Sequence, residues 1–397
     1  MPSNSLPQSI QGKRPAADSC EHTASTEQRE ARPDFNIALN GYRGLCAGLV
    51  FIYHLGAAGV MPLPHGDSIK DGLAYLWSSL AYGVEMFFMI SGFVILGSLL
   101  RHATVAGFLK DRFIRIFSAW VPALIAVTLV CSALNLKMLS NMSFLERFGI
   151  FIANLMLLPP LLPLPLIHFG SWSLSYEWVF YFTAAMGAIL LRRKPTRAWA
   201  IALWAILGAL FVCLFPRALF FLSGVIVFVR QHWILKQQRW LRFPVISLLI
   251  FLVAWKSTEA NQSQLSDTLF DWLRDGRWIA ACIAFAASLH MFACVCLNPN
   301  GQFAFLKSQF FQFLGTISYS FYLWHALVMA GVKRVINTYV VPIYGYEVGF
   351  AAFAAICMAI AVPLSWVSWR VFEVGLAKFA RRKIAPKPLL GAAVSAT

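Results

Sequence analysis

Along the chain, long apolar stretches alternate with short polar connections. The apolar runs lie near 37–59, 75–100, 113–135, 172–191, 198–215, 217–230, 243–255, 278–297, 313–332 and 346–371. A helix that crosses a bilayer needs about 20 predominantly apolar residues. The pattern therefore predicts an all-α chain, a polytopic bundle of about ten spanning helices, the sixth and seventh of them short. A further apolar stretch, 147–168, contains Pro159, Pro160, Pro163 and Pro165. Proline removes an amide donor and clashes with the preceding turn. That stretch is expected to be partial, interfacial or re-entrant, with its backbone covered by protein.

The charged residues give the bundle an expected orientation. With a cytoplasmic N-terminus and a non-crossing 147–168, the cytoplasmic loops and C-terminal tail carry 18 basic residues and the external segments nine. This excess is what the positive-inside rule demands. A crossing 147–168 would put the cluster Arg192, Arg193, Lys194 and Arg197 outside. Both termini are thus expected in the cytoplasm. The chain divides into a polar, disordered N-terminal tail (1–36), a membrane domain (37–375) and a basic C-terminal tail (376–397), with the first apolar run as signal anchor.

Composition agrees: 59% of the 397 residues are hydrophobic and 13% charged, against about 45–50% and about 25% in soluble domains. A net charge of +16 would suggest nucleic acid in a soluble protein. Here it is assigned to orienting loops, and the expected surroundings are a lipid bilayer, with no nucleic acid. Seven of the eight cysteines sit in apolar runs, and Cys294-x-Cys296 lacks the spacing and the histidine pair of a zinc site, so no metal is expected.

A charged side chain inside a spanning helix costs roughly 2.5–3.5 kcal/mol, which makes the few present informative. Arg43 and His54 on the first helix are eleven residues apart, nearly three full turns, so they share a face roughly 16 Å apart along the axis; an interfacial anchor and a helix-end histidine would look the same. Glu85 and Ser91-Gly92 lie on the second, where the small pair also suits close helix packing. Arg112 and Arg115, at i and i+3 on the third, present two guanidinium forks suited to phosphate or to anchoring at the inner surface. Ser173, Glu177 and Tyr181 form an i, i+4, i+8 stripe on the fourth, beside Trp172 and Trp178, which suit the outer interface. Ser318 and His325 share a face of the ninth, as catalytic groups or as polar glue between helices.

Five blocks carry a resemblance: R-G-L-x-A-x-x-V-x-x-x-H (Arg43 to His54), E-x-F-F-x-x-S-G-F (Glu85 to Phe93), R-x-x-R-I (Arg112 to Ile116), W-S-L-x-x-E-x-x-F-Y (Trp172 to Tyr181) and L-G-x-I-S-Y-S-x-Y-L-x-H (Leu314 to His325). In this order, across about 37–375, the chain resembles the acyltransferase-3 family of integral membrane acyltransferases, which includes O-antigen and exopolysaccharide O-acetyltransferases and antibiotic acylases. It departs where the family's terminal E-x-P reads Glu373-Val374-Gly375 and where Ser118-Ala119 follow R-x-x-R-I.

The resemblance implies a multi-pass protein of the bacterial inner membrane. It implies acyl transfer from cytoplasmic acyl-CoA, commonly acetyl-CoA, to a hydroxyl of a glycan, a glycolipid or another acceptor such as an amphipathic macrolide. His54, Glu177 and Arg43 become the expected catalytic residues, and Arg112, Arg115, Ser91, Ser318 and His325 the expected donor-binding residues. Glu177 is expected to orient His54 or the acceptor; Arg43, Ser91 and Tyr319 are alternatives for stabilising developing negative charge. The rival from another class is a transporter or flippase of a glycan or lipid precursor, whose path would also be lined by polar residues.

Overall fold

The computed structural model describes residues 18–60, 68–133, 142–192, 197–259, 268–298 and 300–384. Among them the chain is helical, with no strand. In order the helices are α1 (Asp18–Ala57), α2 (Ser68–Ser79), α3 (Gly83–Arg101), α4 (Val105–Ala133), α5 (Phe144–Leu155), α6 (Ser171–Arg192) and α7 (Ala198–Leu214). There follow α8 (Leu219–Leu235), α9 (Pro244–Lys256), α10 (Leu269–Arg274), α11 (Trp278–Leu297), α12 (Gln309–Val335), α13 (Val341–Ser368) and α14 (Ala377–Ile384). Each of the ten apolar runs falls on helix. The second is divided between α2 and α3 by a 3-10 turn, Leu80–Tyr82. α1 begins at Asp18, inside the expected tail, because the stretch ahead of Ile37 contains good helix formers such as Glu27, Gln28, Arg29, Glu30 and Ala31. Residues 1–17 and 385–397 of the two expected tails lie outside the described residues.

Among the described residues six helical runs are long and apolar enough to cross a membrane, and α7 and α9 are shorter apolar helices. α1 is not one of the six; Asn40, Arg43 and His54 interrupt its apolar sequence. One of the six is a 73-residue run, Gln309–Arg381, that contains a reversal: Gly345 (φ 80°, ψ 174°) is not helical, and α13 returns along α12. Ser320 on α12 meets Ser368 at the end of α13 (3.0 Å) and Glu373 in the π-helical turn Trp369–Leu376 (2.6 Å).

The helices around the site pack closely where glycine permits it. α1 and α12 run parallel, since Asn40 meets Gln312 and His54 meets His325. A Cβ on Gly315 would stand 1.9 Å from the Asn40 carbonyl oxygen. α3 and α8 are likewise in contact, and a Cβ on Gly92 would stand 2.0 Å from the Phe221 carbonyl oxygen, so Ser91-Gly92 is a packing notch on its glycine side. With no hydrophobic drive between helices in lipid, such backbone approach is a main source of their association.

α4 and α6 are antiparallel: Phe108 packs on Tyr181 and Trp120 on His168. The chain between them leaves and re-enters at one end of the bundle. α5, a 12-residue helix, is about 18 Å long, too short for a hydrocarbon core of about 30 Å. The irregular stretch after it is secured by buried Asn154. Its Nδ2 donates to the carbonyls of Ile150 and Pro165, and its Oδ1 accepts from the Ile167 amide, each at 2.9 Å. Ser175 Oγ donates to the Pro159 carbonyl (2.6 Å). The proline-rich segment is thus a loop tied to the protein through the Pro159 and Pro165 carbonyls and the Ile167 amide.

Trp172, expected to suit the outer interface, is buried in the protein, and the Arg217 guanidinium lies 4.4 Å from its ring centroid. Arg217 is itself buried and bonds Glu85 at 2.6 Å. Trp255 Nε1 donates to the same Glu85 oxygen at 3.1 Å. A lone arginine in the apolar string F-P-R-A-L-F and a lone glutamate in a spanning helix are accommodated in apolar surroundings by pairing with each other.

Candidate active site

The stripe on α6 lines a cavity. Glu177 Oε1 accepts from Ser91 Oγ (2.7 Å) and from the Tyr181 hydroxyl (2.5 Å). Ser173 Oγ meets the Tyr322 hydroxyl at 2.9 Å. Ser173, Glu177 and Tyr181 share the wall with Arg43, Ser91, Arg115, Ser318 and Tyr319 in a chamber of about 90 Å³. A second chamber of about 210 Å³ shares Arg43, Ser91, Arg115, Glu177 and Tyr181 and extends to Asn40 and Arg112. Together they form one passage walled by α1, α3, α4, α6 and α12.

Its chemistry follows from the hydrogen-bond accounts. Arg112 is buried and donates to Ser98 Oγ at 2.5 Å, with its Nε unpartnered. Only Arg115 of the pair is exposed, so the two share a face but not the surface position expected for both. Among the described residues the side chains of Arg43 and Arg115 make no hydrogen bond and no ion pair. Arg43 lies in the electrostatic field of Arg115, Glu373 and Glu177. Three guanidinium groups, Arg43, Arg112 and Arg115, and one carboxylate, Glu177, line the passage, which leaves positive charge to spare and donors facing a cavity. Such a site suits an anion, phosphate above all. At one mouth, Asn40 Nδ2 donates to Gln312 Oε1 (3.1 Å), and Gln312 Nε2 donates to the Ile37 and Leu306 carbonyls (2.7 Å each), which fixes the start of α1 against α12.

His54 is not in this wall. It stands about three turns further along α1, half-buried, with its ring centroid 5.1 Å from that of His325 and 6.0 Å from that of Phe169. His325 lies 6.0 Å from Tyr322, which does line the cavity. Tyr322 and His325 therefore stand between the passage and His54. His325 Nδ1–H donates to the Phe321 carbonyl (2.9 Å), and its buried Nε2 has no partner. In the neutral ring Nε2 is then the acceptor. His168 is a third imidazole of this layer: its Nδ1 accepts from the Gly170 amide (3.1 Å), so Nε2–H donates to the Leu323 carbonyl (2.8 Å).

The structure thus brings Arg43, Ser91, Arg112, Arg115, Glu177 and Ser318 together and sets His54 with His325 at another level. The Ser318 hydroxyl is buried and unpartnered at the passage. Glu177 is bonded to Ser91 and Tyr181 and, among the described residues, forms no hydrogen bond or ion pair with His54. Of the alternatives for stabilising negative charge, Tyr319 donates to the Ile116 carbonyl (2.9 Å) and Ser91 to Glu177, so both protons are engaged. His168, Arg217 and Glu373 were not among the expected site residues. Each carried a signal, a lone polar group in an apolar string. Glu373 accepts from the Ser320 amide (3.1 Å) and hydroxyl (2.6 Å) and faces Arg43 electrostatically. No group of three or more potential metal ligands occurs among the described residues.

Fold and site define an integral membrane protein with an anion-suited passage inside the bundle and a histidine pair beyond it. Comparison with known proteins gives the class: the acyltransferase domain family (acyltransferase-3) matches residues 36–370, and the chain belongs to it. The chain is similar to acyltransferase MdmB of Streptomyces mycarofaciens, with 24% identity over 377 residues, covering 85% of this chain and 88% of that protein. No solved structure matches.

Proposed function

We propose that this acyltransferase moves an acyl group from an acyl-CoA, acetyl-CoA in the commonest case, to a hydroxyl of a glycan or glycolipid, in the bacterial inner membrane. The observation that carries the reading is the pair Arg43 and Arg115, turned into a passage without protein acceptors beside Arg112. The phosphates of the CoA would lie there, and the pantetheine arm would run among α1, α3, α4, α6 and α12 toward His54. Arg43 and His54 are roughly 16 Å apart along α1, too far to touch one tetrahedral centre. On this ground Arg43 belongs in our reading to the donor's phosphate end, with Glu177 beside it in the passage wall. The ten-span arrangement with both ends in the cytoplasm fits the antiparallel return of α6 along α4, and it puts this end of the passage inside.

At the other end His54 is the general base. It takes the proton of the acceptor hydroxyl as the oxygen attacks the thioester carbonyl. The C–O bond forms, the C–S bond breaks, and the departing thiolate recovers the proton as the free thiol. His325, held by Phe321 so that Nε2 is an acceptor, positions His54.

The test is turnover of radiolabelled acetyl-CoA by the full-length protein in nanodiscs, with an extract of the host's glycans and lipids, for wild type and His54→Ala. Alkali-labile label on an acceptor with wild type alone is expected. Absence of label with acetyl-CoA and with longer acyl-CoAs, from folded protein, would discard acyl transfer in favour of transport.

A further inference from the structure

Behind the passage lies a larger cavity. A cleft of about 810 Å³ opens between α3, α6, α7 and α8, within the roughly 300–1,000 Å³ of ligand pockets. Its walls are hydrocarbon and small residues, among them Leu96, Ala184, Gly187, Gly208 and Leu222. The polar groups of Thr183 and Trp204 are already used: Thr183 Oγ1 donates to the Val179 carbonyl (2.9 Å), and Trp204 Nε1 donates to the Thr183 carbonyl (2.9 Å). Neither needs a polar ligand. α7, which bounds the cleft, has no buried residue.

Charge is confined to one end. Arg192 lines the cleft and is exposed, and its Nη2 donates to the Leu99 carbonyl at 3.2 Å. We infer that this cleft binds one hydrocarbon chain of a membrane lipid whose phosphate head is held at Arg192. A long apolar slot closed by satisfied polar groups selects a chain, and a guanidinium group at a single end selects an anionic head.

The lipid would touch the site without entering it. Phe180 and Phe221 face the cleft and stack at 4.4 Å; Phe221 stacks on Phe88 at the same distance, and Phe88 faces the passage. Adjacent residues of α3 hold one arginine of each site: Ser98 bonds Arg112, and Leu99 bonds Arg192. The inference does not depend on acyl transfer.

Photocrosslinking tests it. The full-length protein is placed in nanodiscs with a minor fraction of phosphatidylglycerol bearing a diazirine near the end of one acyl chain, or of phosphatidylcholine bearing the same chain. Adducts are mapped by mass spectrometry. Adducts should concentrate at the end of the cleft away from Arg192, on 180–184, 209–213 and 218–222, with phosphatidylglycerol labelling these peptides about fivefold more, as one well-placed arginine allows. Arg192→Gln, at an exposed position, should remove that preference. Ala209→Trp, on a helix without buried residues, should narrow the cleft and reduce labelling by both probes. Adducts spread evenly over α9, α11 and α13, equal labelling by the two heads in wild type, or labelling indifferent to Ala209→Trp would each overturn the inference. The readout is a crosslink, so its failure is separate from any failure of catalysis.

Discussion

The imidazoles of His54 and His325 stand 5.1 Å apart, centroid to centroid, on parallel helices from opposite ends of the chain. Because Phe321 takes the Nδ1 proton of His325, the Nε2 lone pair is left buried and open. With His54 as base and His325 as its positioning partner, His54→Ala should lower kcat by about 10²- to 10⁴-fold, the usual contribution of general acid–base catalysis, with little change in the KM for acyl-CoA. His325→Leu should also lower kcat, and His325→Gln, which keeps an acceptor, should lose less. Equal losses for Leu and Gln would leave His325 with a packing role only.

The opposite signature is expected at the other level. Arg43→Gln, Arg115→Gln and Glu177→Gln should raise the KM for acyl-CoA, since hydrogen bonds to charged groups contribute about 1.5–3 kcal/mol each, or roughly 10- to 100-fold. kcat should fall far less than in His54→Ala. A loss in kcat with donor affinity untouched would return Glu177 and Arg43 to the chemical step.

The sequence made several of these groups legible because helical periodicity fixes faces. The stripe Ser173, Glu177, Tyr181 lines the passage as its spacing requires, and the four prolines marked the irregular stretch that follows α5, although 147–155 belongs to that helix. Periodicity does not fix depth or partner. Arg43 and His54 share a face, yet one belongs to an anion-suited chamber and the other to a histidine layer three turns away. Nor could Glu177 be matched to Ser91 and Tyr181 instead of His54, because that choice depends on how α3 and α6 are offset. The partner of Glu85 was hidden for a related reason: Arg217 precedes α8, and only the fold shows that the two meet inside the protein.

Breaking that pair is expected to be costly. Glu85 is fully buried and Arg217 nearly so, and removing one partner of a buried ion pair costs about 3–5 kcal/mol because the other charge is stranded. Glu85→Gln or Arg217→Met alone should lower the melting temperature of the detergent-solubilised protein markedly. The double variant should recover part of the loss. A double variant no more stable than the worse single one would show that the packing of Arg217 on Trp172 outweighs the charge pairing.

Asn154 offers a test of the loop between α5 and α6. Its side chain replaces three backbone partners for a segment that cannot form its own ladder, and its neighbours Leu157 and Ile167 are buried. Asn154→Leu has similar bulk but no polar atoms. It would strand the Pro165 carbonyl and the Ile167 amide, each at about 1–3 kcal/mol. Asn154→Asp retains the acceptor for Ile167 and loses both donors. Hydrogen exchange of the amides from 157 to 171 should therefore quicken in the order wild type, Asp, Leu. Because His168 of the same segment bonds Leu323 beside His325, loosening the loop should also lower kcat. Accelerated exchange with unchanged turnover would separate this loop from the histidine layer and limit its role to covering the backbone.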